Sequence, residues 1–306
     1  MKKLNVVVFG CRFNTLDFLN FLDKKKFVIK KIITINSAVA NKNKVSGYIN
    51  LSSFKEYKKK ILISDRYDLK DQRITNYFKN KKIDLGISIG WQRIVPLNIL
   101  DSFKRGVLGM HCSYLKLPNG KGRSPINWTI IKGYKYLFVH IFKYTAKFDE
   151  GPILFRKKIL IHNDENIFSI QQKLSIIFSV FINNLKYKNL KNFIKKNKYL
   201  NKIIYFKKRT EDSGLIELKK HTVQSLCNFV RAQTHPYPGA YFFYKNKKYR
   251  IWSAKEIMLP YKFLKNDSIF IFNDLTFVFK IKNKNIHITE HEIPKKLIKE
   301  ILNVYL

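Results

Sequence analysis

The sequence predicts an α/β protein in two parts: a parallel, doubly wound sheet, then a smaller, barrel-like all-β domain. Three observations carry this. Apolar strand-like runs alternate with helix-like segments through the first half, the order that builds parallel sheets. After the helix-like stretch at 221–232, short alternating strands broken by Asn and Lys turns take over. Between the two textures lies a polar, turn-rich stretch, KKRTEDSGLIEL at 207–218. The expected domains are therefore 1–206 and 207–306.

LNVVVFG (4–10) is a short apolar run closed by Gly and reads as the first strand. TLDFLNFLDKKK (15–26) places Leu16, Phe18, Leu19, Phe21 and Leu22 at helical spacing and ends on Lys. FVIKKIITI (27–35) is β-branched and strand-like. YINLSSFKEYKKK (48–60) reads as a helix, ILIS (61–64) as a strand, ITNYFKNKK (74–82) as a helix and IDLGISIGW (83–91) as a buried strand. VLGM closes a further strand just before His111, PINWTIIKG (125–133) is a helix ending at Gly133, and LFVHIFKY (137–144) is a strand. A long helix is expected at about 166–195, where Ile167, Ile170, Leu174, Ile177, Phe181 and Leu185 keep a three-to-four spacing. Asn163, Asp164 and Asn166 are its capping candidates. In the second part, HTVQSLCNFVRA gives one helix, and AYFFYKNKKYRIWSA and SIFIFNDLTFVFKIKNKNIHITE give strands turned at NKK, ND and NKN.

Composition bounds the function. The 306 residues, 45% hydrophobic and 15% aromatic, suffice for one large core or two modest ones. No stretch reaches the ~18 apolar residues of a membrane span, so no membrane partner is expected. MKKLNVVVFG lacks a small-residue cleavage site and reads as a strand rather than a signal peptide. Cys11, Cys112 and Cys227 are scattered without a CxxC, which points to a reducing, cytoplasmic setting. The net charge of +39 could mark a nucleic-acid binder. The Lys residues are spread in pairs and triplets along the chain rather than clustered, so the charge reads as compositional drift that would still steer a phosphorylated substrate.

Three features gather near the expected ligand edge of the sheet. His111 follows VLGM, Asp149 in KFDEGPI follows the next strand, and the loop YLKLPNGKGRSP lies between them. A carboxylate that orients an imidazole makes an acid/base unit. The first strand is followed by FGCRFNTLDFL, without the G-x-G-x-x-G of a dinucleotide site. Ser113 has no nucleophile elbow. Cys112 alternates with His111 across the strand. His287 and His291 lack a third ligand, and no metal is expected. Arg209 and Arg231 read as surface cations.

GMHCSYLKLPNGKGRSPINW (109–128) followed by KFDEGPIL resembles the 10-formyltetrahydrofolate-dependent formyltransferases. That family includes methionyl-tRNA and sugar N-formyltransferases. Its hallmark is Asn-x-His at a strand end, a loop of the SLLPxxRG type with a Pro shortly after, and Asp-x-Gly one strand later. His111, Leu117–Pro118 with GKGRSP, and Asp149–Glu150–Gly151 match these parts. RTEDSGLIEL (209–218) and FVRAQTHPYPGA (229–240) look like the signatures that open the family's C-terminal domain.

The resemblance implies a Rossmann-like first domain and an OB-like second one. His111 and Asp149 become the catalytic pair. ISIGWQRIVP (87–96) is similar to the segment bordering the folate pocket, so Trp91, Gln92, Arg93 and Ile94, with Gly122 and Arg123 of the loop, become the folate-binding candidates. The implied co-substrate is 10-formyltetrahydrofolate. The family's Asn falls at Gly109, which has no side chain, and Gln92, Asn119 and Asn127 are replacement donors by chemistry. The GRSPINW loop and PYPGA turn look closer to the sugar-modifying members, so the expected acceptor is a nucleotide-linked amino sugar. Methionyl-tRNA is the alternative, and a non-catalytic folate or nucleotide binder the third reading. A homodimer is compatible with all three.

Overall fold

The computed structural model describes residues 3–186, 190, 193–194, 203–259, 269–272, 275–281 and 284–305. In chain order its elements begin with β1 (Leu4–Phe9), α1 (Phe13–Phe21), β2 (Phe27–Ile35), α2 (Ser37–Lys42), β3 (Ile61–Ser64), α3 (Gln72–Phe78), β4 (Leu85–Ser88), α4 (Leu97–Leu100) and β5 (Val107–Ser113). They continue with β6 (Lys121–Gly122), α5 (Pro125–Ile131), β7 (Tyr136–Lys143), β8 (Ile153–Leu160), α6 (Ile167–Asn183), β9 (Tyr205–Phe206) and α7 (Val223–Arg231). The last are β10 (Ala240–Tyr244), β11 (Lys247–Ile257), β12 (Phe270–Ile271), β13 (Phe277–Ile281), β14 (Lys284–His291) and α8 (Lys295–Tyr305). Packing divides the chain into two compact units. One comprises Met1–Gly122, Leu137–Ile159 and Ile170–Phe206; the other Arg123–Tyr136, Leu160–Ser169 and Lys207–Leu306.

The first unit is built on a seven-stranded sheet ordered β3-β2-β1-β4-β5-β7-β8. Val6, Val7, Val8 and Phe9 of β1 are all fully buried. That continuous apolar run is what a strand covered on both faces requires. The pairs β2–β3, β1–β2, β1–β4 and β4–β5 are parallel. β7 then runs antiparallel to β5, with His111 opposite His140 and Leu108 opposite Lys143. β8 reverses again: Lys143 N–H donates to Pro152 and Ile161 N–H to Lys135 at opposite ends of the pair. On α6, Phe178 meets Phe18 of α1 with ring centres 5.7 Å apart.

Two elements differ from the sequence expectation. The stretch 48–60 forms no α-helix but two single 3₁₀ turns, Leu51–Ser53 and Lys58–Lys60. The Asn50 side chain accepts from Ser52 N–H, and the Ser53 hydroxyl donates to the Asn50 carbonyl. Such local bonds compete with helix propagation. The expected helix at 166–195 ends at Asn183. Ile194 lies in an extended bridge to Ile153, while 187–189, 191–192 and 195 fall outside the described residues. Asn166 does cap its start, accepting from Phe168 and Ser169 N–H groups.

In the second unit the described strands form an antiparallel sheet ordered β10-β11-β14-β13-β12. Phe277, Phe279, Ile286 and Ile288 fill its core. α7 starts with a capping box between Thr222 and Ser225. α8, which the sequence reading left among the strands, buries Ile298, Ile301 and Leu302 against the same core. Arg209 and Arg231 are not surface cations. Arg231 is buried and donates to the His162 and Glu165 carbonyls. Arg209 lies over the rings of Trp128 and Phe229, and burial lowers its pKa to about 10.

Candidate active site

β5 carries the site. His111 sits inside the strand rather than beyond its end, because pairing with β7 extends β5 to Ser113. The ring is almost fully buried. Its Nε2 lies 2.7 Å from the Gly120 carbonyl oxygen. A carbonyl only accepts, so Nε2 carries a hydrogen. Its Nδ1 lies 3.4 Å from Asp149 Oδ2. One further proton fits between Nδ1 and Oδ2.

Asp149 reaches His111 from the β7–β8 connection. Because β7 is antiparallel, that connection leaves from the Leu108 end of β5 and folds back, instead of lying at a shared strand end. The turn is tightly specified. Asp149 adopts φ +54°, a left-handed conformation that Asp tolerates better than most residues. Its Oδ2 also accepts from Gly122 N–H at 3.3 Å. Glu150 Oε1 takes the Nζ of fully buried Lys121 at 2.7 Å. A Cβ on Gly151 would stand 1.6 Å from the Lys143 carbonyl oxygen. Each residue of the Asp-Glu-Gly turn therefore has a separate constraint.

His140 packs behind the pair and is fully buried. Its Nε2 accepts from Leu117 N–H at 3.3 Å. Burial, assisted by His111 and the nearby Arg156 charge, pulls its pKa from 6.5 down to about 3. The unfolded chain then binds more protons than the folded one between those values. Stability should be full above pH 6.5 and fall as pH drops towards 3, by up to about 1.4 kcal/mol per pH unit. Urea unfolding of wild type and His140→Asn at pH 7, 5.5 and 4 checks this. The variant keeps an acceptor for Leu117 and should lose that slope; an unchanged slope would show that His140 is not held neutral.

The other sequence candidates fall in distinct places. Trp91 to Ile94 leave the end of β4, next to β5. Trp91 is buried against Tyr67, ring centres 4.8 Å apart, and its indole N–H has no partner among the described residues. Arg93 lies over the Tyr67 ring and donates to Asn43. Gln92 N–H donates to the Tyr67 hydroxyl. Ile94 is exposed. Gly122 joins the His111–Asp149 pair through Asp149, whereas Arg123 belongs to the second unit. Of the replacement donors, Asn127 is committed to the Ala232 carbonyl within the second unit, the Gln92 side chain is exposed, and Asn119 is held through its Oδ1, which accepts from Ile204 N–H. The sequence reading missed Lys121, His140 and Tyr144. The cationic centre of GKG was a signal for Lys121; nothing local marks His140 or Tyr144.

Among the described residues no group of three His, Cys, Asp or Glu side chains is placed to hold a metal ion. No helix among them is long and apolar enough to cross a membrane.

Comparison with known proteins places the chain in a family. The chain is 30% identical over 235 residues to the bifunctional polymyxin resistance protein ArnA of Wigglesworthia glossinidia brevipalpis, covering 76% of this chain and 35% of that protein. It is 30% identical over 183 residues to a methionyl-tRNA formyltransferase of Thermodesulfovibrio yellowstonii, covering 60% of this chain and 58% of the relative. The chain thus spans less than two thirds of either relative. The fold is shared with a crystal structure of an N-formyltransferase from Helicobacter canadensis in complex with folinic acid and dTDP-3-aminofucose. There the TM-score is 0.60 at 14% identity, over 94% of this chain and 99% of that one. Residues 2–177, which hold His111, Asp149 and the strands that bring them together, match the family model described as formyl transferase. Residues 208–304 match the formyl transferase C-terminal domain, and the chain belongs to the formyl transferase family.

Proposed function

We propose that this chain is an N-formyltransferase that moves the formyl group of 10-formyltetrahydrofolate to the amine of a nucleotide-linked amino sugar. The observation that carries the transfer is the buried His111–Asp149 pair, with Nε2 fixed on a carbonyl and one proton site left between Nδ1 and Oδ2. The folate supplies a formyl carbon activated by its bond to N10. The amine lone pair bonds to that carbon and the carbonyl pair moves onto oxygen. The pair returns as the carbon–N10 bond breaks. The attacking nitrogen loses one proton and N10 gains one as it leaves, so the His111–Asp149 pair takes the proton from the new amide nitrogen and a proton is returned to N10, which leaves the pair as it began. The residues leaving β4 are our candidates for the folate: Ile94 presents an exposed apolar side chain beside the buried Tyr67–Trp91 ring pair.

For the acceptor, the GRSPINW loop and PYPGA turn support an amino sugar, and a nucleotide's phosphates suit a chain of net charge +39. The same charge and the methionyl-tRNA formyltransferase relative favour tRNA as the second reading. A mass-spectrometric screen separates them. The protein is mixed with 10-formyltetrahydrofolate, a panel of nucleotide-linked amino sugars and methionyl-tRNA. A gain of one formyl group on a sugar is the expected result. Formylation of tRNA alone makes the second reading correct, and folate binding without transfer to anything overturns both.

A further inference from the structure

The charge that develops on the formyl oxygen needs a hydrogen-bond donor aimed at it. His111 cannot supply one as it stands, because Nε2 faces the Gly120 carbonyl and Nδ1 faces Asp149. Gly109 lies two residues earlier, on the same face of β5. That face is not empty. A Cβ built on Gly109 would meet Tyr144 Cε1 at 2.1 Å, Oη at 2.4 Å and Cζ at 2.5 Å. The phenol of Tyr144 therefore occupies the room that any side chain at 109 would need.

Resting on the formyl-transfer reading above, we infer that Tyr144 is a catalytic residue whose hydroxyl donates to the formyl oxygen. The phenol is well placed and well held. Its ring packs on Phe142, centres 5.3 Å apart, and its backbone N–H donates to Val107 at 2.8 Å. Its hydroxyl donates to the Ser88 hydroxyl at the end of β4, 3.2 Å away. Ser88 can turn its own hydrogen to the phenol oxygen and free the phenol hydrogen for substrate. Residues two apart on a strand are separated by roughly 6–7 Å, enough for a carbonyl group to lie between the phenol and His111. Burial first, and the Asp149 charge after it, hold the phenol pKa up at about 12, so the donor keeps its hydrogen throughout the working range.

Tyr144→Phe removes one hydroxyl and leaves the ring. It should lower kcat about 100-fold, with KM for folate, folate affinity and melting temperature close to wild type. A readout independent of turnover is the infrared carbonyl stretch of bound, ¹³C-formyl-labelled 10-formyltetrahydrofolate without acceptor. It should lie at lower frequency in wild type than in Tyr144→Phe. Gly109→Ala should match the Tyr144→Phe loss by pushing the phenol aside. A Tyr144→Phe rate within three-fold of wild type, or an unmoved carbonyl stretch, overturns the role of Tyr144 and leaves formyl transfer standing. A wild-type protein that binds folate and transfers nothing overturns the formyl-transfer reading, and this inference with it.

Discussion

His111→Ala should reduce formyl transfer by about 1,000-fold while folate affinity stays within a few-fold of wild type. The imidazole is the only group bridging the Gly120 carbonyl and Asp149 in the described site, at 2.7 and 3.4 Å. Removing it leaves the carboxylate held on the loop side by the Gly122 N–H and takes away the proton site. Loss of a positioned acid/base group costs about 10²–10⁴ in rate. Single-turnover rates with a fixed acceptor, alongside folate titration, measure both quantities. A variant within ten-fold of wild type would mean that Asp149 accepts the amine proton unaided.

Gly151→Ala should be the most damaging Gly→Ala change among the described residues. Its Cβ would sit 1.6 Å from the Lys143 carbonyl oxygen, and that oxygen is backbone held within the sheet. Either the β7–β8 connection moves or the strand pair opens, and both carry Asp149 off His111. The expected cost is about 3 kcal/mol, at the upper end of overpacking, together with loss of transfer. Urea unfolding reads the first effect. A variant as stable and active as wild type would show that the turn relaxes freely and does not set the Asp149 position.

Much of the first unit was legible because its central strands, β1 and β4, are short buried apolar runs. FVIKKIITI and ILIS coincide with β2 and β3, since Ile- and Val-rich runs favour strands. The helix at 48–60 was not legible, because hydrophobic spacing cannot reveal that Asn50 and Ser53 satisfy the backbone locally. α8 was masked by its Lys-rich polar face. For the site, His111 and Asp149 could be named from their motif, but their contact depends on β7 reversing direction, which no local pattern encodes. Tyr144 was invisible for the same reason: its role arises from a contact with a residue 35 positions earlier.

That contact also constrains how the two positions can change over generations. With the phenol in place, any side chain at 109 meets the ring and has to displace it. A lineage that acquires a carboxamide there therefore disturbs Tyr144 in the same step, and the two positions are expected to change together.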